Sequence, residues 1–300
     1  VNSDNDLDVQ GDINIGHTDN ATGILLVPGN SGDMVLGGTV LLDWTEAQEE
    51  QHNNEEVPDY ADNRRGILLG SGGTFTGDIL LESSSRVEIY GDDSVALDLA
   101  GALDGSAFVE GDLIAVGENA VAMAIRDTVS GDVIVDNSAG NFAVGDGATG
   151  YLVSGDIGGA FVHGGELTVT GYLDTTADSE SSSTNNNDEM AALQASAGID
   201  ITSSIAGGFL IEGSVPAEFR DDSYTAPGNA EITISGNGPA VWIHGGADLG
   251  EVDNSAFDGY GSYGFVNRGE LLARGIYSGI DATGILIEDA TIAGGFRNDR

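Results

Sequence analysis

AVGENAVAMAI (Ala115–Ile125) is the stretch whose reading decides the fold. It runs from an apolar pair through a glycine-bearing polar corner and small residues into a second apolar run. Versions of it recur as IYGDDSVALDL (Ile89–Leu99), AVGDGATGYLV (Ala143–Val153), ISGNGPAVWI (Ile234–Ile243) and IYSGIDATGILI (Ile276–Ile287). A unit that repeats both a corner and its apolar flanks belongs to a solenoid, where each turn rounds the same corner and refills the same rung of the core.

Two further phrases repeat. SIAGGFLIEG (Ser204–Gly213) is echoed by DIGGAFVHGGEL (Asp156–Leu167) and TIAGGFRND (Thr291–Asp299), and more loosely by SAFVEGDL and YGFVNRGEL. Gly-Asp followed by apolar residues occurs at Gly11, Gly32, Gly77, Gly111, Gly131 and Gly155. Between corners the runs are short and alternate. Leu167 and Val169, Ile232 and Ile234, and Val87 and Ile89 each fall on one face of a period-two segment bounded by turn residues, the pattern of strands. Helical period is confined to DEMAALQAS (Asp188–Ser196), read as two turns capped by Asp188.

The corner glycines Gly91, Gly117 and Gly145 are 26 and 28 residues apart. Those of the Gly-Asp corners at Gly111, Gly131 and Gly155 are 20 and 24 apart. Short strands repeating at such periods predict an all-β, right-handed parallel β-helix of about ten coils and about 50 Å, with coils stacked at about 4.8 Å. A β-propeller is the structural rival, but propeller blades are longer and carry aromatic signatures, whereas only 6% of these residues are aromatic. Three polar segments interrupt the rhythm: Thr45–Arg65, Asp174–Ala197 and Ser214–Asn229. Each precedes a fresh strand signal (GILL at Gly66, GIDI at Gly198, AEIT at Ala230), so they read as corner insertions in one domain spanning residues 1–300.

The 300 residues carry 50 acids against nine basic residues, all arginine, for a formal charge of −41. Such a surface repels phosphate backbones and anionic lipid, which excludes nucleic acid as a partner and favours cations. No run approaches the roughly 20 apolar residues of a membrane-spanning helix, so this segment is not expected to insert into a membrane. The absence of cysteine removes disulfides and thiolate metal sites.

The repeat grammar resembles the passenger regions of autotransporter outer-membrane proteins, specifically the Gly/Asp-rich passengers of alphaproteobacteria. The units that carry the resemblance are GGF-x-x-x-G at Gly207, its variant GGAF at Gly158, the ATGILL and ATGILI units at Ala21 and Ala282, and the Gly-Asp-apolar corners. The resemblance implies a β-helical stalk displayed at the bacterial cell surface and exported through a C-terminal outer-membrane β-barrel. This chain carries no barrel and is expected to be a fragment of a longer one.

His163 and His244 sit in the similar phrases VHGGEL and IHGGADL, with Glu166 and Asp248 nearby. Where other repeats lack histidine, Glu110, Glu212 or Asn267 lies close by, so the position reads as a general polar corner and both histidines as replaceable without loss of activity or much stability. His17 and His52 lie in loop-like contexts. The acid pairs Asp92–Asp93 and Asp221–Asp222 read as solvated turn residues. Tyr224, Tyr260, Tyr263 and Trp242 could form a sugar-stacking surface, although Trp242 lies in an alternating strand that favours packing. No catalytic or cofactor-binding residue is assigned, and no metal ligand set is defined. The calcium nonapeptide of β-rolls is absent, since GGADLG at Gly245 and VGDGATG at Val144 do not fit it, which leaves weak, diffuse calcium binding by turn carboxylates. The expected function is a non-enzymatic surface stalk engaged in adhesion, cell contact or biofilm-matrix assembly, with surface polysaccharide or neighbouring copies as partners. Two alternatives stand beside it: an extracellular polysaccharide lyase or hydrolase, and a subunit stacking end to end in a filament or surface layer.

Overall fold

The computed structural model describes residues 6–43, 61–137, 140–171, 194–212, 230–252, 262–275 and 281–298. Among these every regular element is a strand, and every strand pairing is parallel. Three long sheets form the body. Sheet 1 has nine strands, from Leu7–Val9 to Phe296–Asn298. Sheet 2 has eight, from Ile13–Ile15 to Glu270–Arg274, and sheet 3 has eight, from Thr22–Leu26 to Thr283–Ile287. A coil visits sheets 1, 2 and 3 and then a short fourth rung, whose residues Leu103, Val129, Ile157, Ile205 and Leu249 bridge one another in series. The chain is a parallel β-helix.

Among the described residues nine sheet-1 rungs at about 4.8 Å span about 38 Å, against the expected ten coils and about 50 Å. Sheet-1 partners fix the coil length. Ile79 pairs with Ala107, Ala107 with Val133 and Val133 with Phe161, which are steps of 28, 26 and 28 residues. The spacings of 20 and 24 therefore do not measure a coil. Gly111 precedes a sheet-2 strand, Gly131 a sheet-1 strand and Gly155 the fourth rung, so one dipeptide serves three different corners. The 26- and 28-residue spacings do measure it. Gly117 N–H bonds Val144 O, and a Cβ on Gly145 would collide with the carbonyl oxygen of Gly117 directly below it. Gly117 and Gly145 also have φ of 148° and 146°, which a side chain disfavours.

The recurring phrase now has a physical reading. After the glycine comes a left-handed residue, stacked coil on coil as Asn20, Asn63, Asp93, Asn119 and Gly147. Asn and Gly tolerate that conformation best. The sheet-3 strand then opens with a column of small residues, Gly23, Gly66, Ala96, Ala122, Gly150, Gly198, Ala240 and Gly284. They must be small because a Cβ on Gly66 would strike Val87 Cγ1 of sheet 2. The following alternate positions, such as Leu97 and Leu99 or Met123 and Ile125, fill the core with no exposed surface.

The expected core pairs are buried: Val87, Ile89, Val169, Ile232 and Ile234 are fully enclosed and Leu167 nearly so. A file of phenylalanines, Phe161, Phe209, Phe265 and Phe296, runs up sheet 1 with centroid spacings of 5.2, 4.8 and 4.6 Å. Sheet 1 is apolar on its outer side as well, where Ile134, Val162, Leu210 and Val266 cluster with Val252 and Tyr263.

The insertion boundaries need correction. Residues 45–60, 174–193 and 214–229 lie outside the described residues, as does Asp188–Leu193 of the expected helix; Gln194–Ser196 is not helical. The flanks assigned to insertions belong to the solenoid. Ala61 is buried, Asp62 bridges Asp92, Arg64 is fully enclosed and Arg65 opens the strand Arg65–Leu69. Ala195 is buried, and Ala197 opens the strand Ala197–Ile201. The signals at Gly66, Gly198 and Ala230 do lead into strands, at Arg65–Leu69, Ala197–Ile201 and Glu231–Ser235.

Candidate functional site

The corner acids are wired from coil to coil. At the entry to sheet 1, Asp6 Oδ1 accepts from Asp33 N–H at 3.0 Å, Asp33 Oδ1 from Asp78 N–H at 2.9 Å and Asp78 Oδ1 from Ser106 N–H at 2.7 Å. Ser106 Oγ then accepts from Asp132 N–H, and Asp132 Oδ1 from Ala160 N–H. A second series links Asp19 to Asp62 and Asp92 to Glu118 at the corner before sheet 3. A corner leaves backbone donors that no sheet satisfies, and an ionised carboxylate is a strong acceptor for them. Asp92 and Asp93 are therefore not merely solvated. Asp92 Oδ1 takes Glu118 N–H at 2.7 Å, and burial raises the Asp92 pKa; Asp93 Oδ1 takes Asn119 Nδ2 at 3.0 Å. Asp221 and Asp222 lie outside the described residues.

The two histidines do not share a corner. His163 ends the strand Phe161–His163 and is in register with Val135 and Ile211, pointing into the core with no exposed surface. Its Nε2 lies 3.3 Å from Glu231 O, its Nδ1 has no hydrogen-bond partner, and its ring packs edge-on against Tyr151 at 5.7 Å. Burial lowers its pKa to about 4, against the partial support of the Glu231 and Gly165 backbone. Imidazole is thus neutral at ordinary pH, and His163 is a core residue whose removal would leave a hole. Asn267 shares its column, while Glu212 lies one residue further on. His244 follows the sheet-3 strand Pro239–Ile243 on the outside of the body. Its partner is Asp200, with Nε2 2.9 Å from Oδ1, and not Asp248. Among the described residues no group of three His, Asp or Glu side chains is placed to hold a metal ion.

Three arrangements escaped the sequence reading. Arg64 is fully enclosed and its guanidinium reaches the carbonyl oxygens of Ile15, Gly16, Leu42, Asp43 and Tyr90, tying three coils together. Asn137, Asn141 and Tyr151 form a buried polar chain beside His163, with Asn141 Nδ2 donating to Tyr151 Oη at 2.7 Å. On the outer side of sheet 3, Trp242 stacks on His244 with centroids 3.9 Å apart, and its Nε1 donates to Glu288 Oε2 at 3.3 Å. Beside Asp200, this is the described cluster best suited to meeting a partner. Burial raises the Asp200 pKa, while the neighbouring His244 lowers it. Tyr263 sits apart, beneath the Arg297 guanidinium, and Tyr224 and Tyr260 lie outside the described residues.

No family model, no curated protein and no solved structure matches this chain.

Proposed function

We propose that the chain is a non-enzymatic structural and adhesive module, the β-helical stalk of an autotransporter passenger displayed at a bacterial cell surface. The observation that carries this reading is the ladder of corner acids. Asp33, Asp78 and Asp132 each spend a carboxylate oxygen on the backbone of the next coil, so these corner carboxylates serve rigidity. A stiff rod with a charged exterior suits display and contact, through surface polysaccharide or neighbouring copies. In the full-length protein an outer-membrane β-barrel would export it.

The test is expression of the full-length gene in Gram-negative cells. Surface antibody labelling, loss of that label on protease shaving of intact cells, and reduced cell–cell aggregation in a deletion strain are expected. Label confined to the cell interior would refute the location. New reducing ends released from polysaccharide by the purified chain would favour an enzyme instead.

A further inference from the structure

Sheet 3 carries two acids in one outward column, joined in register through Ala124 and Leu152: Asp98 and Asp200. The chain treats them differently. Asp98 is bracketed by two of its own guanidinium groups, Arg65 Nε at 2.8 Å from Oδ2 and Arg126 Nε at 3.0 Å from Oδ1. No described arginine reaches Asp200. Its Oδ1 faces His244, and its Oδ2 makes no hydrogen bond with the described residues. Trp242 is next in the column and Leu286 follows it, while Glu288, two residues past Leu286, uses only Oε2, on the indole.

The patch thus offers two carboxylate oxygens, Asp200 Oδ2 and Glu288 Oε1, on either side of a stacked aromatic pair. The Asp200 and His244 side chains are 15% and 25% exposed, which keeps them within reach of solvent.

We propose that the Asp200–Trp242–His244–Glu288 patch docks an arginine side chain of a partner protein. Three features select that chemistry. Two carboxylates call for a cation, and the net charge of −41 draws basic partners from a distance. A planar guanidinium both pairs with carboxylate through its fork and lies well against Trp, which a compact ammonium does less effectively. The same column already answers Asp98 with guanidinium groups. The inference does not depend on where the protein is displayed.

The test uses the whole chain and three capped pentapeptides, Gly-Ser-X-Gly-Ser, where X is arginine, lysine or citrulline. Binding is read from the Trp242 indole N–H resonance, assigned as the one that Trp242→Phe removes. The arginine peptide should shift it, lysine should bind more weakly, and citrulline, of the same shape but neutral, should not bind. Asp200→Asn with Glu288→Gln should weaken arginine binding about tenfold, the sum of two partly exposed ion pairs. Trp242→Phe removes that reporter, so its binding is compared with that of the native chain by isothermal titration calorimetry and should be weakened less. A control pair on other faces, Asp8→Asn with Glu166→Gln, should change it little. Equal losses in the control pair would reduce the effect to bulk charge and overturn the proposal. So would equal binding of arginine and citrulline, or a shift caused by a neutral oligosaccharide such as cellohexaose with none from the peptide.

Discussion

His163 makes the fold acid-sensitive by an amount that can be worked out. Its imidazole is enclosed, and burial lowers its pKa from 6.5 to about 4. The unfolded chain therefore binds a proton at this site between about pH 6.5 and about pH 4 while the folded chain does not. A state that binds more protons gains as pH falls, so the folded form loses stability across that window. Each pKa unit is about 1.4 kcal/mol, which gives about 2 kcal/mol lost by pH 5 and about 3 kcal/mol below pH 4. Other groups titrate nearby. Asp92 and Asp200 have raised pKa values in the folded form, so they act in the opposite direction, strengthening it as pH falls. A comparison isolates the histidine. Leucine suits a column that already holds Leu36, Leu81, Val109, Val135 and Ile211, and it removes the unpaired Nδ1. Urea unfolding of the native chain and of His163→Leu at about pH 7 and about pH 5 gives two stability differences. The native chain should lose about 2 kcal/mol more than the variant between the two. Parallel pH dependences, agreeing within about 0.5 kcal/mol, would refute the argument and place His163 in contact with water.

Two further outcomes follow from the packing and the charge. Phe209→Ala should cost about 3–5 kcal/mol in the same assay, because the ring is enclosed between Phe161 and Phe265 and coils above and below would hold the cavity open; a cost under about 1 kcal/mol would mean that the file of rings collapses freely. The melting temperature should rise between about 10 mM and about 500 mM sodium chloride as the screening length falls from about 30 Å to under 10 Å, and rise further with millimolar calcium. A melting temperature flat in both would mean that the carboxylates are too dispersed, or too well paired with backbone N–H groups, to repel.

The alternation and the small-residue column were legible in AVAMAI and its relatives, because both follow from sterics local to one strand. The true period was legible at Gly91, Gly117 and Gly145, which occupy one corner and stack directly. It was not legible in the Gly-Asp corners, because any corner leaves donors for an Asp to satisfy, and the same dipeptide is reused at three of them. The place of His163 was available and missed. Aligning GGAFVH with AGGFLI sets His163 on Ile211, a core position, whereas the resemblance of VHGGEL to IHGGADL suggested a corner. The patch around Trp242 could not be read, since Asp200 and Glu288 join it across 42 and 46 residues and through registers that insertions obscure.

The lopsided charge has a structural logic. A parallel coil turns its corner without a partner strand, so each corner presents backbone N–H groups that need an acceptor from the neighbouring coil. Aspartate supplies one from a short side chain, and glycine beside it lets the coils approach closely enough for it to reach. Repeating the corner repeats the acid. The opposite need, carbonyl groups left over where strands end, calls for donors. Arg64 meets five of them with one planar fork, whereas the three donors of a lysine ammonium could not. One such fork ties three coils, while each corner acid ties only two. Acids therefore recur with the corners, as Asp6, Asp12, Asp19, Asp33, Asp78, Asp92, Asp132, Asp146 and Asp156 do among the described residues, while a donor with the reach of Arg64 can be used sparingly.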